Sequence, residues 1–406
     1  MTTDTSSKVL MELTEAHMET GLRGVPVGYC TTSYVDPQTG LHYVGRPVSE
    51  IAHEDPEAVI YLLLNKRFPD AAELEAFRAE LKRRRHIDPQ VFFALKTLPR
   101  KGHPMKWFLH AINTLGVTDA TGDFREDCLN LIAKIPAATA AIFRLREGWG
   151  DPILPSEDLN YMEDFVRMLG VPGLDADGQA RLTELMRVFD VVHLDHGGGN
   201  LSTFTGKAVA SGLADMYESI LAAMCGLAGP RHGKANQECL NFVEECVRAV
   251  GGTPSEGLTR ELIQNRLANK LLIYGFGHAV LKVEDPRATV LIELGERLCP
   301  NDVNFRMVKM LRQVVPPILS QNPRIADPYP NVDLASGSLL HACGLENSDY
   351  YTVLFGMSRV VGIAIQVVYE RCEARMGRGT PIVRPKYLYS PKGTSEGAAV
   401  DAMIAG

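Results

Sequence analysis

From Pro56 onward, nearly every stretch of this chain places its apolar residues three and four positions apart. That spacing returns side chains to one face of a helix and is incompatible with strands, whose period is two. It recurs over 56–65, 70–84, 104–115, 126–146, 161–169 and 179–192. It resumes over 234–250, 256–268, 286–298, 303–319, 332–343 and 350–373. Breakers separate the early segments: Phe68-Pro69, Leu98-Pro99, and the Gly/Pro clusters at 148–155 and 170–173. One segment, 27–45, reads as a β-hairpin, with Tyr, Thr and Val runs around an Asp-Pro-Gln-Thr-Gly turn. Residues 1–22 read as a short helix or arm. No fixed-period repeat appears, so a solenoid is excluded. The expected architecture is mainly α, with one small N-terminal β-hairpin.

Two segments are unusually apolar. Over 206–227 one helix is expected, with a stripe of Leu213, Met216, Ile220, Met224 and Leu227 and mostly Ala and Gly around it. A helix apolar nearly all round is buried in a large protein or an interface. The second segment, 350–369, is interrupted by Arg359 and Gln366, and no run reaches the ~18 apolar residues of a membrane helix. Across 406 residues, 45% are apolar and 22% charged, which excludes disorder. Lys and Arg number 42 against 49 Asp and Glu, a net charge of −7 that gives no general pull on nucleic acid or anionic lipid. The basic run 82–85 reads as a solvated helix end. Eight cysteines without a C-x-x-C pair read as reduced core residues, not a disulfide frame or zinc site. The first fifteen residues carry Asp4, Glu12 and Glu15 against Lys8, unlike a signal or transit peptide, so a cytoplasmic protein is expected.

Four stretches are odd for a plain helical bundle. His193-Leu-Asp-His196 runs into three glycines and Asn200, a backbone that can approach a ligand closely. A metal site from His193, Asp195 and His196 is one reading; a helix C-cap with incidental histidines is the other. In Gly229-Pro-Arg-His232-Gly-Lys-Ala-Asn236, His232 precedes a helix whose N-terminal dipole favours neutral imidazole. The alternative is a capping histidine. Tyr274-Gly-Phe-Gly-His278 is followed by Asp285-Pro286-Arg287, an N-cap and first-turn proline. Arg287 then opposes the dipole, and either a bound anion offsets it or the side chain is exposed. No strand–G-x-G-x-x-G–helix unit surrounds these glycines, so a dinucleotide site is not expected. Finally, Asp333 is an N-cap or something more, and Arg359 inside an apolar helix needs an anion from the protein or from a substrate.

Taken in order, GLAGPRHGKANQE, GFGHAVLKVEDPRA, NVDLASGSLL and YYTVLFGMSR resemble the citrate synthases, in particular their eukaryotic-type, dimeric branch. The similarity extends from Gly21-Leu-Arg-Gly to Val383-Arg-Pro-Lys. It implies an all-helical, two-domain fold, with a large domain of 1–233 and 339–406 and a small domain of 234–338 that closes over the site. It implies condensation of acetyl-CoA with oxaloacetate and water, giving citrate and CoA. Asp333 would be the base, His232 the enolate stabiliser and His278 the acid. His196, Asn200, Arg287, Arg359 and Arg384 match the oxaloacetate pocket, Arg384 reaching the other subunit of a homodimer. Arg23, Lys282 and the backbone loop Leu272, Ile273, Tyr274, Gly275, Phe276 and Gly277 match the coenzyme A contacts. The resemblance implies no metal or redox cofactor.

The sequence departs from the family at Gly197, where an acidic residue is usual, and at Leu334-Ala335, where a small residue and histidine are usual. Extra residues at 373–379 separate Arg359 from Arg384. The competing readings are 2-methylcitrate synthase using propionyl-CoA, a scaffold that has lost activity, and a metal hydrolase built on His193 and His196. The two synthases differ by one methyl, worth about 1–3 kcal/mol, which the motifs do not resolve.

Overall fold

The computed structural model describes residues 9–323, 325 and 327–389. Among these, helices make up the body and one small antiparallel sheet lies near the N-terminus. The sheet has three strands, Ser33–Asp36, Gly40–Tyr43 and Arg46–Pro47, in sequence order. Ser33 faces Tyr43 and His42 faces Pro47. The expected hairpin is therefore shorter at its start and gains a third strand. Val44 and Gly45 both take positive φ, 49° and 82°. Such a pair matches the right-handed strand twist and turns the chain straight back.

The core forms around two long helices packed on one another, Phe124–Glu147 and Tyr351–Val368. Both lie in helical stretches long and apolar enough to cross a membrane, but 83% and 94% of their most apolar windows are buried in the body. They are core helices of the kind that are apolar all round. Five further helices, Ala235–Ala249, Glu256–Ala268, Pro286–Leu298, Val303–Leu319 and Asp333–Ala342, pack largely against one another. Pro286–Leu298 and Asp333–Ala342 also meet Ala176–His193, the helix that leads into the histidine loop.

The single helix expected over 206–227 is two. Leu201–Ser211 and Met216–Leu227 form a tight pair, with Gly206 lying where a Cβ would stand 3.0 Å from Ala223 Cβ and from Ser219 O. Between them Leu213 takes φ 70° and is 71% exposed, so it leaves the apolar stripe. The remaining stripe residues, Met216, Ile220, Met224 and Leu227, are fully buried. The break has a local cause. Asp215 and Glu218 form a capping box, each side chain accepting from the other's backbone N–H, which starts a new helix at Met216.

Candidate active site

The site grows from the join between Ala176–His193 and Tyr351–Val368. Gly362 allows this contact: a Cβ there would lie 2.4 Å from Leu194 O, and its N–H donates to that carbonyl. Tyr43, fully buried, reaches from the sheet under the same turn; its hydroxyl donates to Val191 O and accepts from Asp195 N. The Asp195 carboxylate accepts from Thr32 and Ser33 hydroxyls and from Gln366 Nε2. That accounts for Gln366 in an apolar helix. His193 is 2% exposed, with Nδ1 donating to Phe189 O at 2.7 Å, and burial pushes its pKa down to about 3. Both residues are thus committed to holding the loop. Among the described residues no cluster of three His, Cys, Asp or Glu could hold a metal.

Arg359 is 2% exposed, and among the described residues it has no carboxylate within ion-pair distance. Its Nε donates to His193 O at 2.9 Å and its guanidinium stacks over Phe355, 4.7 Å from the ring centre. Burial pushes its pKa down to about 10. Arg287 is also buried, but Asp285 holds it through Nε at 3.1 Å and Nη2 at 2.7 Å while capping the helix at Arg287 N. Neither a bound anion nor solvent exposure is needed there; a protein carboxylate offsets the dipole conflict. The cleft therefore keeps one uncompensated buried cation.

Three imidazoles share this cleft. His232 lies in the turn before Ala235–Ala249, as expected, but the helix start that holds it is a different one. Its Nε2 receives the N–H of Ser202, at 3.4 Å, in the first turn of Leu201–Ser211. An amide N–H only donates, so Nε2 accepts and Nδ1–H is the available donor. The Ser202 hydroxyl stands 2.8 Å from the same nitrogen. Burial and Arg359 push the His232 pKa down to about 4. His278 is fixed the other way round. Its Nδ1 accepts from the N–H groups of Val280 and Leu281 at 3.1 and 3.0 Å, so Nε2 carries the proton. Burial and Arg287 hold its pKa at about 4. His196 crosses His278 edge to face, ring centres 5.5 Å apart, and burial, Arg287 and Arg359 keep it neutral. Phe355 touches both His193 and His232.

Asp333 opens the helix Asp333–Ala342 as its first residue; Val332 is the N-cap. Its carboxylate is not spent on capping, which sets aside the N-cap reading. Burial pushes its pKa up to about 6; Arg287 and Arg359 pull it down and Asp285 pushes it up. The loop carrying His278 lies against the segment before Asp333. Gly277 N donates to Tyr329 O, Asn331 N donates to Gly275 O, and Phe276 pairs with Pro330. Gly275, at φ 80°, has no room for a side chain: a Cβ would lie 2.8 Å from Cys239 Sγ and 3.0 Å from Leu334 Cα.

The remaining expected residues are placed less centrally. Asn200 is tied into the loop: Oδ1 accepts from Thr203 N, Nδ2 donates to His196 O and Gly197 O, and Ser202 Oγ lies 2.9 Å from Oδ1 with its one proton turned to His232 Nε2. It shapes the loop. Gly197, the departure from the family pattern, takes φ 70°, which a side chain would strain. Leu272 is 68% exposed while Gly275 is buried, and the backbone of Gly275 and Gly277 is engaged by the Tyr329–Asn331 segment. Lys282 is exposed and its N–H donates to Pro37 O in the sheet's turn. Arg23 and Arg384 are exposed, and among the described residues neither side chain has a hydrogen bond or ion pair. Val383 N, beside Arg384, donates to Ser211 Oγ.

A family model described as the C-terminal domain of citrate synthase matches residues 21–386. The chain belongs to the citrate synthase family. It is 35% identical over 390 residues to citrate synthase 4, mitochondrial, of Arabidopsis thaliana, covering 90% of this chain and 80% of that one. It is 36% identical to a probable mitochondrial citrate synthase of Glossina morsitans morsitans, covering 93% and 84%. The citrate synthase structure from Thermotoga maritima MSB8 superposes with a TM-score of 0.78 at 28% identity, covering 93% and 97%. The fold is also that of the Thermoplasma acidophilum citrate synthase solved as a ternary complex with carboxymethyl coenzyme A and oxaloacetate, TM-score 0.79 at 23% identity, again covering 93% and 97%. The all-helical fold is therefore that of the citrate synthases, and the chain is an acyltransferase. The mitochondrial names of the curated relatives do not favour the cytoplasmic placement expected from residues 1–15.

The sequence did not single out Ser202, Asp285 as a partner for Arg287, or Phe355. Asp285 and Arg287 are two residues apart, and a buried bidentate pair at that spacing is a recognisable signal once the N-cap is assigned. Ser202 had none: its role depends on a histidine thirty residues away in sequence.

Proposed function

We propose that the protein condenses acetyl-CoA with oxaloacetate. The observation that carries this is Arg359, a buried cation without a protein carboxylate, in a cleft where three neutral imidazoles and a carboxyl of raised pKa converge. A small dianion would supply the missing charge, and a planar guanidinium pairs with a carboxylate bidentately. Asp333 takes a proton from the acetyl methyl, and the electron pair moves to the thioester oxygen. The Nδ1–H of His232 holds that enolate oxygen without a positive charge of its own. The enolate carbon attacks the ketone carbon of oxaloacetate, and Nε2–H of His278 passes its proton to the new alkoxide. Water then cleaves the citryl thioester to citrate and CoA.

In this reading Arg384 completes the oxaloacetate pocket of a second subunit, consistent with its exposed, unpaired position on the tail. Arg23, Lys282 and the free backbone near Ile273 and Tyr274 contact coenzyme A. The five helices of 234–338 close over oxaloacetate, shielding the enolate from water. Solution scattering with and without oxaloacetate tests closure; identical profiles count against it. Thiol release from acetyl-CoA and from propionyl-CoA, each with oxaloacetate, tests the reaction. Acetyl-CoA preference is expected. Propionyl-CoA preference would assign 2-methylcitrate synthase with the same machinery. No release with either would reject both.

A further inference from the structure

The base and the acid sit on different segments, His278 in a loop and Asp333 at a helix start. Both hang from one short strap, Tyr329–Pro330–Asn331. Tyr329 O accepts from Gly277 N at 2.9 Å, next to His278. Pro330 O accepts from Asp285 N at 3.0 Å, behind Arg287. Asn331 does most. Its backbone N–H donates to Gly275 O at 2.9 Å and its carbonyl accepts from Leu334 N at 3.2 Å. Its side-chain Nδ2 donates to Gly277 O at 2.9 Å, and Oδ1 accepts from Asp333 N at 3.0 Å. One amide group therefore bonds the residue before His278 and the backbone of Asp333 at once.

We infer that Asn331 is a positioning residue that sets the separation and orientation of the acid His278 and the base Asp333. This rests on the reading of the site given above. The physical reason is that a primary amide has a donor and an acceptor about 2.3 Å apart in a rigid plane, and both ends are in use. Neither an alanine nor a carboxylate reproduces that pair. A carboxylate keeps the acceptor for Asp333 N–H but turns an oxygen towards Gly277 O. The reacting carbon must lie between the two groups, and a displacement of about 1 Å at such a site costs about a hundredfold in rate.

The test uses the full-length protein and thiol release with acetyl-CoA and oxaloacetate. Asn331→Ala is expected to lose about thirty- to a hundredfold in kcat, with the KM for oxaloacetate within about twofold, because Arg359, Arg287 and His196 are untouched. Asn331→Ser keeps an acceptor for Asp333 N–H and loses the bond to Gly277 O; it should recover part of kcat. Asn331→Asp adds a negative charge beside a base already facing Arg287 and Asp285 at one helix start, Arg359 on another helix, and Cys239 on a third. Its acid limb should move to higher pH, which a purely structural loss would not produce. Unchanged kcat in the alanine variant, or an unshifted acid limb in Asn331→Asp, overturns the inference while an active wild type leaves the reaction standing. If the variants do not fold, hydrogen exchange on the wild type decides: fast exchange at the Asp333 amide overturns it, and slow exchange supports it. An inactive wild type overturns the reading of the reaction instead.

Discussion

Replacing Arg359 by methionine should make the substrate-free protein more stable. The guanidinium is 2% exposed, and burial pulls its pKa well below that of an ordinary arginine, to about 10. At about 1.4 kcal/mol per pKa unit, the buried charge costs about 3 kcal/mol, with no described carboxylate close enough to pair with it. Methionine fills a similar volume without charge. It gives up the hydrogen bond to His193 O and the stacking on Phe355, about 1 kcal/mol or a little less each. The net gain is about 1–2 kcal/mol. With an unfolding entropy of about 2 cal/mol/K per residue, a chain of this length gains about 1–2 °C in Tm. The sharper contrast comes with ligand. Oxaloacetate at about a hundred times its Kd should stabilise the wild type by about 2.7 kcal/mol, about 3 °C, and leave Arg359→Met unmoved. Differential scanning fluorimetry of both proteins, with and without oxaloacetate, reads all four values. A variant destabilised by more than about 2 kcal/mol would show that the protein itself neutralises Arg359. An unchanged ligand shift in the variant would show that oxaloacetate is not its anion.

Asp333→Asn should lower kcat about a thousandfold, and the wild-type rate should fall about tenfold per pH unit below about pH 6, where the carboxylate takes up its proton; a pH–rate profile flat down to pH 5 would remove Asp333 from the role of base. Asp190 is 1% exposed, and burial pushes its pKa up to about 7 against the opposing pull of the Ser358 hydroxyl. The folded state thus holds a proton that the unfolded chain releases near the ordinary 3.8, so stability is lost as pH rises from about 4 to about 7, on the order of 4 kcal/mol from this group. Asp190→Asn should flatten that fall in urea titrations at pH 5 and pH 8; parallel curves for the two proteins would contradict it. Leu213→Gly should stabilise by about 0.5–1 kcal/mol, because the residue is exposed and left-handed; a loss by thermal unfolding would mean that Leu213 packs against something.

Much of the fold was legible because helix period and breakers are local signals. Glu256–Ala268, Pro286–Leu298 and Val303–Leu319 begin and end where the spacing of apolar residues places them. The apolar content of 206–227 is shared by two helices because Asp215 with Glu218, a local capping signal, starts the second one. The third strand leaves little local signal, because it is two residues long and depends on a turn through Val44, a residue rarely left-handed. Among the site residues, His278 is visible directly after the Gly275-Phe276-Gly277 run and Arg359 by its incongruity in an apolar helix. Asn200 and Asp195 gave no sign that their polar groups are consumed by the loop itself.

The sequence alone determined the helical class, the order of the motifs and the identity of the groups available for chemistry, because periodicity, caps and residue type are written within a few neighbouring positions. It could pose the question of Arg359's anion but not answer it. Only the tertiary structure decided which arginine is paired and which is left open, since Asp285 reaches Arg287 while no described carboxylate reaches Arg359. It also decided which nitrogen of each histidine carries the proton, through Ser202 on His232 and through Val280 and Leu281 on His278. Charge balance and tautomer are set by groups within about 3 Å. Such groups can come from anywhere in the chain, and only the packed helices fix which ones arrive.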